Sequence, residues 1–166
     1  MLDRAAFLRP IAHRGLHDAK RGIIENTGHA FEAAIDAGYG IECDVRPIKG
    51  GIPVVFHDET LNRLVDGRGP LTAVKERDLR TLRHRIGGAA ILTLAGLLDL
   101  VSGRVPLLIE IKSEWDPPDR DFLANVATLV SEYRGPAALM SFDPDVMTAV
   151  RGLAPDIPRG IVSGGL

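Results

Sequence analysis

Glu42 and Asp44 stand two residues apart in the run Ile41-Glu42-Cys43-Asp44-Val45, and Glu110 and Lys112 do the same in Ile109-Glu110-Ile111-Lys112. On an extended strand, residues two apart point to one side. Cys43, Val45, Ile109 and Ile111 therefore point to the other side, where helices would pack. Parallel strands covered by helices should be apolar throughout, so charge at these positions needs a reason. Three carboxylates (Glu42, Asp44, Glu110) converging on an interior face would repel in a low dielectric. A divalent cation removes that repulsion, and all-oxygen ligation favours a hard ion, Mg2+ or Ca2+, over zinc. His13 and His57 lie near the ends of two further apolar runs. Taken singly, each Glu reads as solvent-facing, each His as a satisfied hydrogen-bonding group, and Arg14 or Lys112 as an ion-pair partner. Their arrangement on apolar strands points to a site.

The elements that must carry these groups alternate. Residues 11–15 form a short apolar run. Asn26 or Thr27 can cap a helix whose Ala30, Phe31, Ala34 and Ile35 share a face, and Gly38 closes it. Residues 41–45 read as a strand, as do 52–57 after the Gly50-Gly51 turn. Thr93 caps a helix burying Leu94, Leu97, Leu98 and Val101, ended by Gly103. Strand 107–112 follows, then a helix after Asp119 with Phe122, Val126, Leu129, Val130 and Tyr133 on one stripe. Strand 137–142 leads into Asp143-Pro144, a cap with proline at the first helical position. That helix turns Val146, Met147, Val150 and Leu153 inward, and residues 160–163 make a last strand. Repeated β-then-α order predicts a parallel sheet. No Gly-rich phosphate loop follows the first strand, which argues against a dinucleotide-binding sheet. The stretch 59–90 is an insertion within a single domain spanning 1–166. It holds a Gly-rich loop and a short helix over about residues 72–82, with Arg77, Arg80, Arg83 and Arg85 on a solvated face.

With 166 residues the chain has room for one core. A net charge of -2 provides no basic field for nucleic acid, so phosphate recognition must be local. Cys43 is the only cysteine, which excludes an internal disulfide, and it reads as a helix-facing core residue, not a nucleophile. His17, His29 and His84 read as surface or structural. Residues 1–10 carry Asp3, Arg4 and Arg9 without an apolar run, which argues against a signal peptide. No apolar stretch reaches the roughly 18 residues of a membrane span. The expected setting is cytoplasmic.

The ordered strings Ala12-His13-Arg14-Gly15, Glu25-Asn26-Thr27, Glu42-Cys43-Asp44-Val45, Val54-Val55-Phe56-His57-Asp58, Leu61-Asn62-Arg63 with Gly67, and Ile109-Glu110-Ile111-Lys112 resemble the glycerophosphodiester phosphodiesterase family. Ser141-Phe142 is similar to that family as well. Each string alone is weak, and the ordered set over nearly the whole chain is specific. The resemblance implies a TIM-type (β/α)8 barrel and hydrolysis of glycerophosphodiesters to glycerol 3-phosphate and an alcohol. It implies Mg2+ or Ca2+ bound by Glu42, Asp44 and Glu110, with His13 and His57 as the acid/base pair. It implies phosphate binding by Arg14 and Lys112, with Glu25 and Asn26 bordering the site. It also implies that the substrate's own glycerol hydroxyl attacks phosphorus through a cyclic phosphate, so no protein nucleophile is needed.

A (β/α)8 barrel usually needs about 250 residues. The expectation is an incomplete barrel with about six of eight strands, lacking the last two βα units. The family carries a tryptophan motif on its last strand, whereas the only tryptophan here is Trp115. Open edges and an exposed interior would then favour self-association and marginal stability. Two alternatives are a non-catalytic remnant that binds metal or phosphate, and a related phospholipase of the same barrel type, such as a sphingomyelinase D-like enzyme. The 59–90 insertion favours the glycerophosphodiesterase reading.

Overall fold

The computed structural model describes residues 4–114 and 119–164; Trp115 lies outside the described residues. The elements follow the expected alternation: β1 (Ile11–His13), α1 (Gly28–Asp36), β2 (Gly40–Ile48), β3 (Ile52–Val55), α2 (Leu94–Val101), β4 (Leu107–Ile111), α3 (Arg120–Glu132), β5 (Ala137–Ser141), α4 (Pro144–Leu153) and β6 (Arg159–Ile161).

The helix starts obey their caps. The Thr27 hydroxyl accepts from Ala30 N, Thr93 from Gly96 N at 3.0 Å, and Asp119 from Phe122 N at 3.1 Å. Asp143 accepts from Asp145 N at 2.9 Å with Pro144 at the first helical position. Ala30, Phe31 and Ala34 of α1 are buried, as are Leu94, Leu97, Leu98 and Val101 of α2. Leu153 departs from its expected inward setting and is 49% exposed, since α4 ends there.

Six strands form one sheet, and five of them, in the order β1-β2-β4-β5-β6, run parallel and curl as part of a barrel. β3 differs from the parallel expectation. It runs antiparallel to β2, pairing Val45 with Val55 and Ile48 with Ile52. The cause is local: a tight Gly50-Gly51 turn, with φ of 86° and 70°, can only reverse the chain, whereas a parallel partner needs a crossover of a dozen residues or more. The hairpin extends the C-terminal half of β2 beyond its parallel neighbours and delivers Phe56 and His57 to the same end of the sheet as Asp44.

The main core lies between the sheet and its helices, with Phe31, Ile41, Val45, Leu97, Ile109, Ile111, Phe122 and Leu139 almost wholly buried. Each such side chain contributes about 1.5–3 kcal/mol on burial. Cys43 is buried here, as expected. A second cluster, including Ile48, Phe56, Val65, Leu71, Val74 and Leu79, anchors the 59–90 stretch on the hairpin. The helix expected over 72–82 is instead two 3-10 turns, Leu71–Ala73 and Glu76–Arg80. Lys49 N–H donates to Val74 O at 2.9 Å and claims the carbonyl that an α-helix would need. Among the described residues no helix is long and apolar enough to cross a membrane.

Candidate active site

β1 ends at His13, and the chain then turns through Arg14 and Gly15, both with positive φ (58° and 80°). A Cβ on Gly15 would lie 2.8 Å from Ala30, so the turn is pressed against α1 and only glycine fits. Arg14 takes a left-handed conformation that disfavours a bulky residue. It is held there by its own N–H, which donates to Glu42 Oε2 at 3.0 Å, and by its carbonyl, which accepts from Asn26 N at 2.9 Å. Asn26 is also left-handed, with φ of 56°. Its amide faces Asp44 twice: Nδ2 donates to Asp44 Oδ2 at 2.9 Å, and Oδ1 accepts from Asp44 N at 3.3 Å.

Strand register sets the carboxylates level. His13 stands opposite Glu42 in the β1–β2 pair, and Asp44 stands opposite Glu110 in the β2–β4 pair. The three carboxylates each offer an oxygen, and those oxygens all lie within 4.8 Å of one another. Their residues are 5%, 0% and 7% exposed, respectively, for Glu42, Asp44 and Glu110. Lys112 Nζ donates to Glu110 Oε1 at 2.7 Å and lies 3.6 Å from Asp44 Oδ1. Arg14 Nε is 3.1 Å from Asp44 Oδ2, an ion pair off the hydrogen-bond axis, and its Nη1 donates to Glu25 Oε1 at 3.0 Å.

These two cations do not satisfy the cluster. Glu42 Oε1 and Asp44 Oδ1 are buried without a hydrogen-bond partner among the described residues. Burial, and then the charge of Asp44, pushes Glu42 up to about 7; Glu110 adds to the rise and the Arg14 N–H partly offsets it. An all-oxygen set with unused lone pairs fits a hard divalent cation.

His13 is exposed, its side chain 68% accessible, with Nε2 3.8 Å from Glu42 Oε2. His57 follows β3 and is oriented by neighbours absent from the expected site. Its Nδ1 lies 2.8 Å from Asp58 Oδ1, and its carbonyl accepts from Arg46 Nε at 2.6 Å. Arg46 is itself paired with Glu114. Arg63 donates to both Asp58 and Glu25. Its hydrogen bond holds Asp58 down to about 2 against burial. Burial would raise Glu25, yet the pairing with Arg63 and Arg14 leaves it below the usual value. The Phe142 ring lies 5.9 Å from Lys112 Nζ.

Of the expected residues, His13, Arg14, Glu25, Asn26, Glu42, Asp44, Glu110 and Lys112 thus form one contiguous network. His57 joins it only through Asp58 and Arg63. His17 and His29 are exposed, and His84 is a buried structural group whose Nδ1 lies 2.9 Å from Ala89 O. Asp58 and Arg63 lie in strings that resemble the family but carry no assigned role there, and Arg46 lies in none of them. The adjacency of Asp58 to His57 signals their contact, whereas nothing local signals the pairing of Arg63 with Glu25 across 38 residues.

Comparison with known proteins bears on this arrangement. A glycerophosphodiester phosphodiesterase of Caldanaerobacter subterraneus subsp. tengcongensis is 40% identical over 111 residues, covering 62% of this chain and 44% of its own. The crystal structure of a glycerophosphodiester phosphodiesterase from Agrobacterium tumefaciens superposes with a TM-score of 0.77 at 32% identity, over 91% of this chain and 65% of that one. A phosphodiesterase of Oleispira antarctica, solved with the product sn-glycerol-3-phosphate, gives 0.83 at 26% identity, over 99% and 70%. The chain therefore spans between under half and about two thirds of the length of these relatives. The family model for glycerophosphoryl diester phosphodiesterases matches from His13 at the end of β1 through residue 165, and the chain belongs to that family.

Proposed function

We propose that this chain hydrolyses glycerophosphodiesters to glycerol 3-phosphate and an alcohol, using a divalent cation, Mg2+ or Ca2+, held by Glu42, Asp44 and Glu110. The observation that carries the reading is the convergence of those three buried carboxylates within 4.8 Å, beside two basic side chains, in a member of this family. The product held by the Oleispira antarctica neighbour supports the substrate class. When bound, the cation would offset negative charge on the non-bridging phosphate oxygens.

The chain's own residues supply the rest. Arg14 and Lys112, anchored by Glu25 and Glu110, present cationic donors to the phosphate before it arrives, so little reorganisation is needed as charge builds on phosphorus oxygens. A glycerol hydroxyl of the substrate attacks phosphorus and the alcohol leaves, giving a cyclic phosphate that water then opens. One imidazole of the His13/His57 pair takes the proton of the attacking hydroxyl, and the other returns a proton to the departing alkoxide. Asp58 on Nδ1 of His57 leaves Nε2 as the nitrogen for that exchange. Asn26 holds Asp44 in the rotamer that faces the cluster.

The test is release of glycerol 3-phosphate from glycerophosphocholine by the full chain, in EDTA and with Mg2+ or Ca2+ restored. Release that stops in EDTA and returns with the ion supports the proposal. Undiminished release in EDTA removes the cation from it. Tight cation binding without any release makes the chain a binding remnant of the barrel.

A further inference from the structure

Among the described residues Arg63 pairs with Asp58 and Glu25, and it reaches the carboxylate cluster through Glu25 and Arg14. Its side chain is 47% accessible, and an exposed ion pair of that kind contributes little to stability. Yet it makes four hydrogen bonds to two carboxylates. Nε and Nη2 reach Asp58 at 2.6 and 2.9 Å, and Nη1 and Nη2 reach Glu25 at 3.2 and 2.7 Å. Both pairs use the two-pronged geometry that only a guanidinium offers. Each carboxylate then holds a different functional group. Asp58 meets Nδ1 of His57 at 2.8 Å, and Glu25 accepts from Nη1 of Arg14 at 3.0 Å.

The chain Arg14–Glu25–Arg63–Asp58–His57 thus joins the loop after β1 to the loop after β3. These strands are not neighbours in the sheet; each pairs with β2. Without Arg63, Glu25 and Asp58 would face each other as like charges, and each would be free to swing with the group it holds. We propose that Arg63 is a positioning residue that fixes the His57 ring through Asp58 and the Arg14 guanidinium through Glu25, so that one side chain orders groups on both loops. The proposal rests on the hydrolase reading for its kinetic consequences, whereas its geometric content stands apart from turnover.

The kinetic test compares the full chain with R63A, R63K, D58A and the double variant R63A/D58A on glycerophosphocholine in the presence of Mg2+ or Ca2+. R63A is expected to lower kcat by roughly 10–100-fold, the usual loss when an orienting partner is removed, and to raise KM as Arg14 loosens. R63K is expected to stay impaired, because an ammonium cannot bridge two carboxylates by paired bonds. In the D58A background, the added R63A change is expected to cost less kcat than it does in the wild type, because the route to His57 is already cut and only the route through Glu25 to Arg14 remains. Independent, multiplying losses in kcat, or a fully active R63K, would overturn the proposal.

The second readout needs no turnover. Nitrogen-15 spectra of the histidines, taken well above neutral pH, report which ring nitrogen carries the proton. His57 is expected as the Nδ1–H form in the wild type and as a mixture in R63A and R63K. An unchanged His57 signal in both variants overturns the proposal, and R63K carries this test if R63A does not fold. Loss of the signal in a chain that hydrolyses nothing upholds the clamp and sinks the hydrolase reading.

Discussion

Replacing Glu42 by Gln should stabilise the metal-free protein at alkaline pH. In the fold, burial and the neighbouring Asp44 raise Glu42 from an ordinary 4.5 to about 7. The native state therefore keeps a proton that the unfolded chain releases, across the window from about 4.5 to about 7. Stability from this group is complete below about 4.5, falls as pH rises through that window, and is gone above about 7. At about 1.4 kcal/mol for each tenfold in proton affinity, the ionised carboxylate costs on the order of 3 kcal/mol. Gln keeps an oxygen for the Arg14 N–H, now received at 3.0 Å, and brings an amide donor toward Asp44 and Glu110. A chain of this size changes its melting temperature by about 2–4 °C per kcal/mol. In EDTA near pH 8, E42Q should then melt up to roughly 6–12 °C above the wild type, and the gap should close toward about pH 4.5. Mg2+ or Ca2+ at about 1,000 times its Kd should reverse the order, because such a ligand stabilises by about 4.1 kcal/mol and E42Q loses one of its carboxylates. Thermal melts followed by circular dichroism read all of this. If E42Q melted below the wild type in EDTA near pH 8, or if the gap were the same at both pH values, the like-charge account of the cluster would be wrong.

His13→Ala and His57→Ala should each reduce glycerophosphocholine turnover by roughly 10²–10⁴-fold while leaving the melting curve nearly unchanged; full rates in both variants would end the acid/base assignment. Gly15→Ala should destabilise the fold by about 2–4 kcal/mol, because it forces alanine to positive φ and drives Cβ into the α1 backbone; a urea midpoint equal to that of the wild type would contradict it. His84 is depressed by burial, so the unfolded state gains a proton near its ordinary 6.5 that the native state refuses, and the associated stability is present above that value and lost as pH falls below it. His84→Gln should flatten the fall in urea midpoint below about pH 6.5 relative to wild type, and parallel curves would remove His84 from the account.

The sequence made the two-residue spacing of Glu42 with Asp44 and of Glu110 with Lys112 legible, because strand alternation is a local property. It did not reveal that Asp44 would stand level with Glu110. That register depends on how the 59–90 stretch and α2 return the chain to the sheet, which no local pattern encodes. The β3 hairpin was marked by Gly50-Gly51, yet the repeated β-then-α order led to a parallel expectation; the tight turn wins because chain reversal within two residues leaves no room for a crossover. The helix expected over 72–82 failed for a different reason. Its apolar spacing serves the second core cluster, and the Lys49–Val74 bond comes from a strand end over twenty residues earlier. Arg63 went unassigned because loops have no period, and a guanidinium's partners are fixed only by the fold.

What the sheet tolerates at this end bears on why the cluster exists. Among the described residues, non-glycine positive φ occurs at Arg14, Asn26 and Ser102. Ser102 ends α2, where a left-handed residue completes a helix cap. The other two flank the carboxylates, and each such conformation costs about 1–3 kcal/mol. Beside them lie two carboxylate oxygens buried without hydrogen bonds and a glutamate held well above its usual pKa. Each of these lowers stability, and an apolar replacement at Glu42 would relieve several at once. Selection for folding alone gives no reason to gather them around one point. A bound cation with two positive charges would give one, since the same unused lone pairs and the same repulsion would become the source of its binding energy.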